Sequence, residues 1–277
     1  MWGLLMSFLR ILQIYLGATL TFYTLSYLQL SPMASFYARL LASYGTLIFC
    51  AIYGVFASLF LRLLGKHRTS QWATARAFHY IIALTTGVRF EIVEGKEYLR
   101  TRPCVLIGNH QSELDVLLLG AVFPPYCAVT AKSSLKLVPF LGQFMALSGT
   151  VFIDRSNRNS AVAAFEGAAE EMKRERQSVF IFPEGTRSHA SGPVMGSFKK
   201  GAFHLAVQAG VDVVPVVCAN YFGVLGVREK RFRAGVIPVK GESLLGVGVD
   251  RGVAIRIGRA RLTCMAGSAQ TDTYRPS

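Results

Sequence analysis

The sequence predicts an α/β fold class: an N-terminal transmembrane helical hairpin, then an α/β domain with a largely parallel or mixed sheet flanked by helices. Three observations carry that prediction. Residues 11–30, ILQIYLGATLTFYTLSYLQL, and 40–61, LLASYGTLIFCAIYGVFASLFL, hold no charged residue. Each is about as long as a helix must be to cross a bilayer core of roughly 30 Å. From about residue 88, short β-rich runs alternate with helical ones, as βα units do.

Composition narrows the partners. A chain of 277 residues holds one sizeable domain plus a membrane segment. Its net charge of +14 favours anionic partners, and its 52% apolar content is high for a water-soluble protein. A nucleic-acid binder would account for the charge but not for the two apolar spans, so no nucleic acid is expected. Membrane lipids are. Five cysteines (Cys50, Cys104, Cys127, Cys218, Cys264) are scattered without a CxxC pair. That argues against a disulfide framework or a metal site and fits a reducing compartment.

In chain order, residues 1–65 read as two transmembrane helices joined by the turn SPMASFYAR. A cleaved signal peptide is the rival for the first, against which stand its long apolar run and the lack of a small-residue cleavage site. A helical pair buried in a soluble domain is the rival for both. Arg62, Lys66, His67, Arg68 and Arg76 follow the second span and assign that side to the cytosol. With two crossings, the N-terminus and the main domain share that side. Residues 66–87 mix Trp72, Arg76, Phe78, His79 and Tyr80 and read as an interfacial amphipathic segment, with an ordinary surface helix as the alternative.

The main domain runs over residues 88–240. RFEIVEG alternates like a half-exposed strand, CVLIG reads as a buried strand and SELDVLLLGAVF as a helix. YCAVTA and GTVFID are strands, and a helix is expected from about Ser160 to Arg176. SVFIF and VVPVVCA are strands, separated by KGAFHLAVQAG, whose helical spacing stops at a glycine.

Candidate chemistry gathers where these strands end. NHQSELD follows CVLIG directly, and SELD matches a capping box with Ser112 as N-cap. His110 then lies in the turn before the helix and Asp115 in its first turn. On one continuous helix they would stand about 140° apart, but the turn can bring the histidine back over the carboxylate. Asp115 can then accept from one imidazole nitrogen and leave the other as a base, and a histidine's ordinary pKa of about 6.5 suits that role. Asp115 as a mere cap, with His110 a satisfied loop residue, is an alternative. A Ser-His-Asp triad using Ser112 or Ser148 is another, though no G-x-S-x-G elbow supports it. FIFPEGTRS places Glu184, Gly185, Thr186 and Arg187 straight after a strand. The glycine permits close backbone approach to a ligand, Arg187 offers a planar fork for phosphate, and Glu184 can orient a substrate hydroxyl. VFIDR presents Arg155 at another strand end.

NHQSELD, VFIDR, FPEGTRS and VVPVV stand in the order and spacing of the four motifs of the lysophosphatidate (1-acylglycerol-3-phosphate) acyltransferase family. AKSSLKLVPFLG and FKKGAFHLAVQAG resemble its connecting segments, and the match covers roughly residues 85–240. The resemblance implies an integral membrane enzyme of the endoplasmic reticulum, its catalytic domain facing the cytosol. It would transfer an acyl group from acyl-CoA to lysophosphatidic acid, with no cofactor beyond acyl-CoA as co-substrate and no metal. It implies that His110 is the base and Asp115 its support. Arg155 would bind the acceptor's phosphate, with Glu184, Gly185, Thr186 and Arg187 holding that substrate, and Pro215 would help shape the acyl-chain side. Lys132, Lys199 and Lys200 would attract anionic groups or be plain solvated lysines. Another lysophospholipid or glycerol 3-phosphate as acceptor, a CoA-independent transacylase and an inactive lipid-binding variant are the alternatives. One departure is the tail from residue 241, rich in Gly and Arg. It lacks the family's proline-containing segment and final helix and reads as a structureless alternative end or a divergent tail.

Overall fold

A computed structural model describes residues 2–192 and 194–243. Helices α1 (Trp2–Tyr27) and α2 (Ala34–Leu63) form the two N-terminal apolar helices. A 3-10 turn at His67–Thr69 leads into α3 (Ser70–Thr86), which ends where Gly87 turns left-handed and its N–H caps Ala83. Then follow β1 (Val88–Glu94), β2 (Val105–Gly108), α4 (Asp115–Val122), β3 (Cys127–Lys132), α5 (Leu141–Leu147), β4 (Val151–Ile153), α6 (Arg158–Glu175) and β5 (Ser178–Ile181). The chain continues through α7 (Gly201–Ala209), β6 (Val213–Cys218), a small hairpin of β7 (Leu225–Gly226) and β8 (Arg231–Phe232), and β9 (Gly235–Gly241). The atypical tail read from residue 241 begins on the last residue of β9, and residues 244–277 lie outside the described residues.

Seven strands form one sheet in the order β1-β9-β6-β2-β5-β3-β4. The five from β6 to β4 are parallel, while β1 and β9 run parallel to each other and antiparallel to that block. The strand period of two sorts the core onto two faces. Leu106, Phe180, Val214 and Val216 meet Leu117 and Leu118 of α4 and Phe78 and Ile82 of α3. Val105, Ile107, Val179 and Ile181 meet Met172 of α6 and Phe203 and Leu205 of α7. The result is helices on both sides of a central sheet whose parallel strands all end on one edge, the edge where such folds place ligands.

The helix expected from Ser112 begins at Asp115, because residues 109–114 form a turn over the end of β2. The segment read as interfacial is α3, which packs on both α2 and α4 and leaves Tyr80 and Leu84 exposed. Helix α2 is docked on the domain along its length. Ser35 Oγ donates to the Phe232 carbonyl (3.2 Å), Arg39 Nε donates to the Thr86 carbonyl (2.8 Å), and Gly54 lies against the Phe144 ring of α5. Helix α1 packs on α2 and exposes Trp2, Ile11, Ile14 and Leu20.

Candidate active site

The site is built on the turn that follows β2. Gly108 closes the strand where any Cβ would come within 2.7 Å of the Phe180 ring. Asn109 then braces the turn against β6: its Nδ2 donates to the Cys218 carbonyl and its Oδ1 accepts the Cys218 N–H, both at 2.9 Å. Gln111 Nε2 donates to the carbonyls of Cys218 and Ala219 (3.1 and 3.0 Å). Two amide side chains thus lock the backbone on either side of His110.

His110 Nδ1 lies 2.6 Å from Asp115 Oδ2. A carboxylate only accepts, so Nδ1 is the donor and Nε2 is the nitrogen left for a substrate. One face of the imidazole stacks on Phe182, with centroids 4.2 Å apart and planes 16° from parallel. Asp115 is 1% exposed. Burial of a carboxylate is costly unless donors satisfy it, and here there are four: His110 Nδ1, the N–H groups of Gln111 (2.8 Å) and Ser112 (3.3 Å), and the Tyr221 hydroxyl (2.5 Å, to Oδ1). Burial, then the Asp115 carboxylate, pushes the Tyr221 phenol well above its ordinary range, so it stays protonated as a donor.

Ser112 is 6% exposed; its Oγ contacts the Tyr221 hydroxyl (3.3 Å) and accepts the Leu114 N–H (3.2 Å). Asp115 accepts the Ser112 N–H, but the expected capping box with Ser112 as N-cap does not form: the helix is preceded by Leu114 without a side-chain cap, and the Ser112 hydroxyl is taken up by Tyr221 and Leu114. Ser148 is 1% exposed at the end of α5, bonded to the Met145 carbonyl. Neither serine forms a triad with His110.

The FPEGTRS turn wraps the same corner. Glu184 is 5% exposed, and each of its oxygens takes a backbone N–H: that of His110 at 2.7 Å and that of Gly196 at 2.7 Å. The structure therefore places it beneath the site, clamping the histidine's backbone. Ser188 and His189 donate N–H groups to the carbonyls of His110 and Gln111, both at 3.0 Å. Gly185 turns with φ +70°, and a Cβ there would meet Lys199 Cε and Nζ at 2.9 Å. Its carbonyl accepts from Arg155, which reaches across from the end of β4. Asp154 fixes the turn carrying Arg155 by accepting from Ser156 N and Oγ (3.0 and 2.6 Å). Thr186 is exposed, and Arg187 pairs with Glu113 on the turn after β2 at 3.0 Å.

Direct contacts thus join His110 to Asp115 and Glu184, and Arg155 to Gly185, while Arg187 reaches the same turn through Glu113. Pro215 stands apart from them, buried in β6 opposite Ile107. Its carbonyl takes the Glu242 N–H, so its missing donor faces the side where the β9 ladder has run out beyond Gly241. A cleft of about 430 Å³ flanks the turn between Ser112, Glu113, His189, Tyr221, Phe222 and Arg228. The sequence reading missed Tyr221 and Phe182. The available signal was CANYFG, another polar break straight after a buried strand.

The chain is similar to known proteins. A family profile described as Acyltransferase matches residues 91–219. The 1-acyl-sn-glycerol-3-phosphate acyltransferase of Saccharomyces cerevisiae is 47% identical over 191 residues, 69% of this chain and 63% of the yeast protein, so the chain spans somewhat under two thirds of that relative. Human 1-acyl-sn-glycerol-3-phosphate acyltransferase beta is 38% identical over 218 residues, covering 76% of this chain and 75% of the human one. Among solved structures, the crystal structure of PlsC from Thermotoga maritima, a 1-acyl-sn-glycerophosphate (LPA) acyltransferase, superposes with a TM-score of 0.61 at 23% identity, covering 90% of this chain and 95% of that one. That last likeness is one of fold.

Proposed function

The chain belongs to the lysophosphatidic acid (1-acyl-sn-glycerol-3-phosphate) acyltransferase family, and on that premise we propose that it transfers a fatty acyl group from acyl-CoA to the sn-2 hydroxyl of lysophosphatidic acid, giving phosphatidic acid. The observation that carries this reading is the His110–Asp115 pair, held at 2.6 Å with the second imidazole nitrogen left for a substrate. Nε2 takes the proton of the acceptor hydroxyl as its oxygen attacks the thioester carbonyl carbon. Asp115 supports the imidazolium. The tetrahedral adduct then breaks its C–S bond, and the coenzyme A sulfur leaves, taking the proton back from Nε2. A thioester is already an activated acyl donor, so the reaction as proposed uses no metal. Arg155 and Arg187 flank the FPEGTRS turn, and Lys199 lies over Gly185; together they supply positive charge for the acceptor's phosphate.

We place the enzyme in the membrane through α1 and α2, on the cytosolic face of the endoplasmic reticulum, as Arg62, Lys66, Arg68 and the family resemblance support. The docking of α2 favours embedding from one side over the two crossings expected from length alone. Ser35 and Gly54 both touch the α/β domain, yet lie about 29 Å apart along the helix at 1.5 Å per residue. A helix that crossed the bilayer could not keep both contacts with a domain in water.

Membranes containing the protein, labelled acyl-CoA and a panel of lysolipid acceptors test the reading. Transfer to lysophosphatidate is expected, and His110→Ala should lower it by about 10²- to 10⁴-fold with membrane association intact. Transfer only to lysophosphatidylcholine would sink the substrate assignment, and a near-wild-type His110→Ala would sink the base.

A further inference from the structure

The Tyr221 hydroxyl is buried in the core 106 residues downstream of the carboxylate it meets. Its ring packs edge-on against Phe90, with centroids 5.9 Å apart, and a phenylalanine would fill that place equally well. The hydroxyl therefore needs a separate reason. It donates to Asp115 Oδ1 at 2.5 Å while accepting the Ser112 N–H at 3.0 Å, with Ser112 Oγ at 3.3 Å. All the other donors to Asp115 (His110 Nδ1 and the N–H groups of Gln111 and Ser112) belong to its own turn and grip the other oxygen, Oδ2. The torsion about an aspartate's Cβ–Cγ bond is broad, with no deep well of its own, so its setting rests on the groups around it. The bond to Oδ1 is the restraint on that torsion that comes from a different part of the chain, and it ties the carboxylate to the core as well as to its own turn.

We propose that Tyr221 is a positioning residue for acyl transfer, holding the Asp115 carboxylate in the orientation that aims Oδ2 at His110 Nδ1. The proposal rests on the reading of His110 as the base. In that reading the imidazole carries the substrate's proton during attack, and it is then that Asp115 must face Nδ1 without rotating. Ser112, Tyr221, Asp115 and His110 form a connected hydrogen-bond chain in which each bond polarises the next. Tyr221 is its link from outside the turn, and its ring is anchored in the core. Glu184 and the Glu113–Arg187 pair make their bonds elsewhere at this corner, and burial, then Asp115, pushes the neighbouring Cys218 thiol well above its ordinary range, so it stays neutral.

Tyr221→Phe keeps the ring and removes the hydroxyl. We expect kcat to fall on the order of tenfold, with KM for lysophosphatidate within about twofold, both read well below a melting temperature that drops because buried Asp115 Oδ1 loses its donor. In an Asp115→Asn background the same substitution should cost nothing further, because the residue acts through Asp115. Phe90→Leu, which disturbs the packing of the ring but spares the hydroxyl, should lower the melting temperature and leave kcat in place. A kcat within twofold of wild type for Tyr221→Phe overturns the proposal. So does an undiminished loss in the Asp115→Asn background, or a kcat loss reproduced by Phe90→Leu. Should Tyr221→Phe fold poorly, 3-fluorotyrosine at position 221 keeps the shape and strengthens the donor. The low-field Nδ1 proton of His110 should then move upfield, and a fixed resonance counts against the assignment. If Asp115→Asn alone transfers at the wild-type rate, the supporting role of Asp115 fails and Tyr221 falls with it, whereas a near-wild-type His110→Ala overturns the base assignment itself.

Discussion

Glu184 engages both oxygens with the chain itself, one N–H from the catalytic turn and one from the loop beyond FPEGTRS. Glu184→Gln keeps one acceptor and turns an NH₂ group toward the other N–H, leaving a buried donor unsatisfied at a cost of about 1–3 kcal/mol. For a chain of this size that is a drop in melting temperature of roughly 2–5 °C, read by thermal melts, with transfer recovering at low temperature. Arg155 and Arg187 should behave differently, since both are exposed and neither holds the core. Replacing either with Ala should raise KM for lysophosphatidate about ten- to a hundredfold, with KM for acyl-CoA little changed. Lysine should rescue only in part because it loses the bidentate fork. Equal effects on both KM values would count against a phosphate clamp. At this scale the sequence disclosed His110 and Asp115 because their five-residue spacing is local and a strand end announces the turn. It did not disclose Tyr221 or the clamp by Glu184, whose partners lie 106 and 74 residues away in the chain and meet only through the sheet.

Among the elements, what could be read in advance followed from periodicity. β2, β3, β5 and β6 appear where unbroken apolar runs predict buried strands, and α6 and α7 where helical spacing does. Helix α5 went unread because its seven residues, LGQFMAL, are too short to declare a period. β9, GVIPVKG, alternates buried and half-buried residues but carries a proline and terminal glycines that argue against a strand. Its direction, antiparallel to β6 and parallel to β1, comes from pairing across the sheet and has no local signature. The apolar pair was legible by length, whereas its relation to the membrane depends on the contacts of α2. A cysteine placed in the exposed turn by Pro32→Cys should react with a membrane-impermeant maleimide in intact, cytosol-side-out microsomes, since that turn stays beside the domain. Labelling only after permeabilisation would restore the two crossings.

Taken as a whole, the molecule buries thiols in its core. Cys104, Cys127 and Cys218 are all inaccessible, and burial first of all pushes the Cys104 thiol from 9.0 up to about 12. A thiol that stays neutral in the folded chain but ionises near 9.0 in the unfolded one favours the fold fully below that pH. Its contribution is lost as pH rises toward 12. The melting temperature should therefore fall on going from about pH 8 to pH 10.5, and Cys104→Ala should flatten that slope. A parent and variant with identical slopes would rule Cys104 out as a source.

The bracing of the catalytic turn by β6 also has a consequence for synthesis. Asn109 finds both its partners on Cys218, 109 residues later, so the histidine and its aspartate leave the ribosome long before the strand that steadies them. At about 5–20 residues per second, that interval is on the order of 5–20 s. During it the first two apolar helices are already free of the ribosome while the histidine stays unbraced. On the function proposed above, competence at the membrane would precede competence in chemistry, and a chain halted before Cys218 would be anchored but inert.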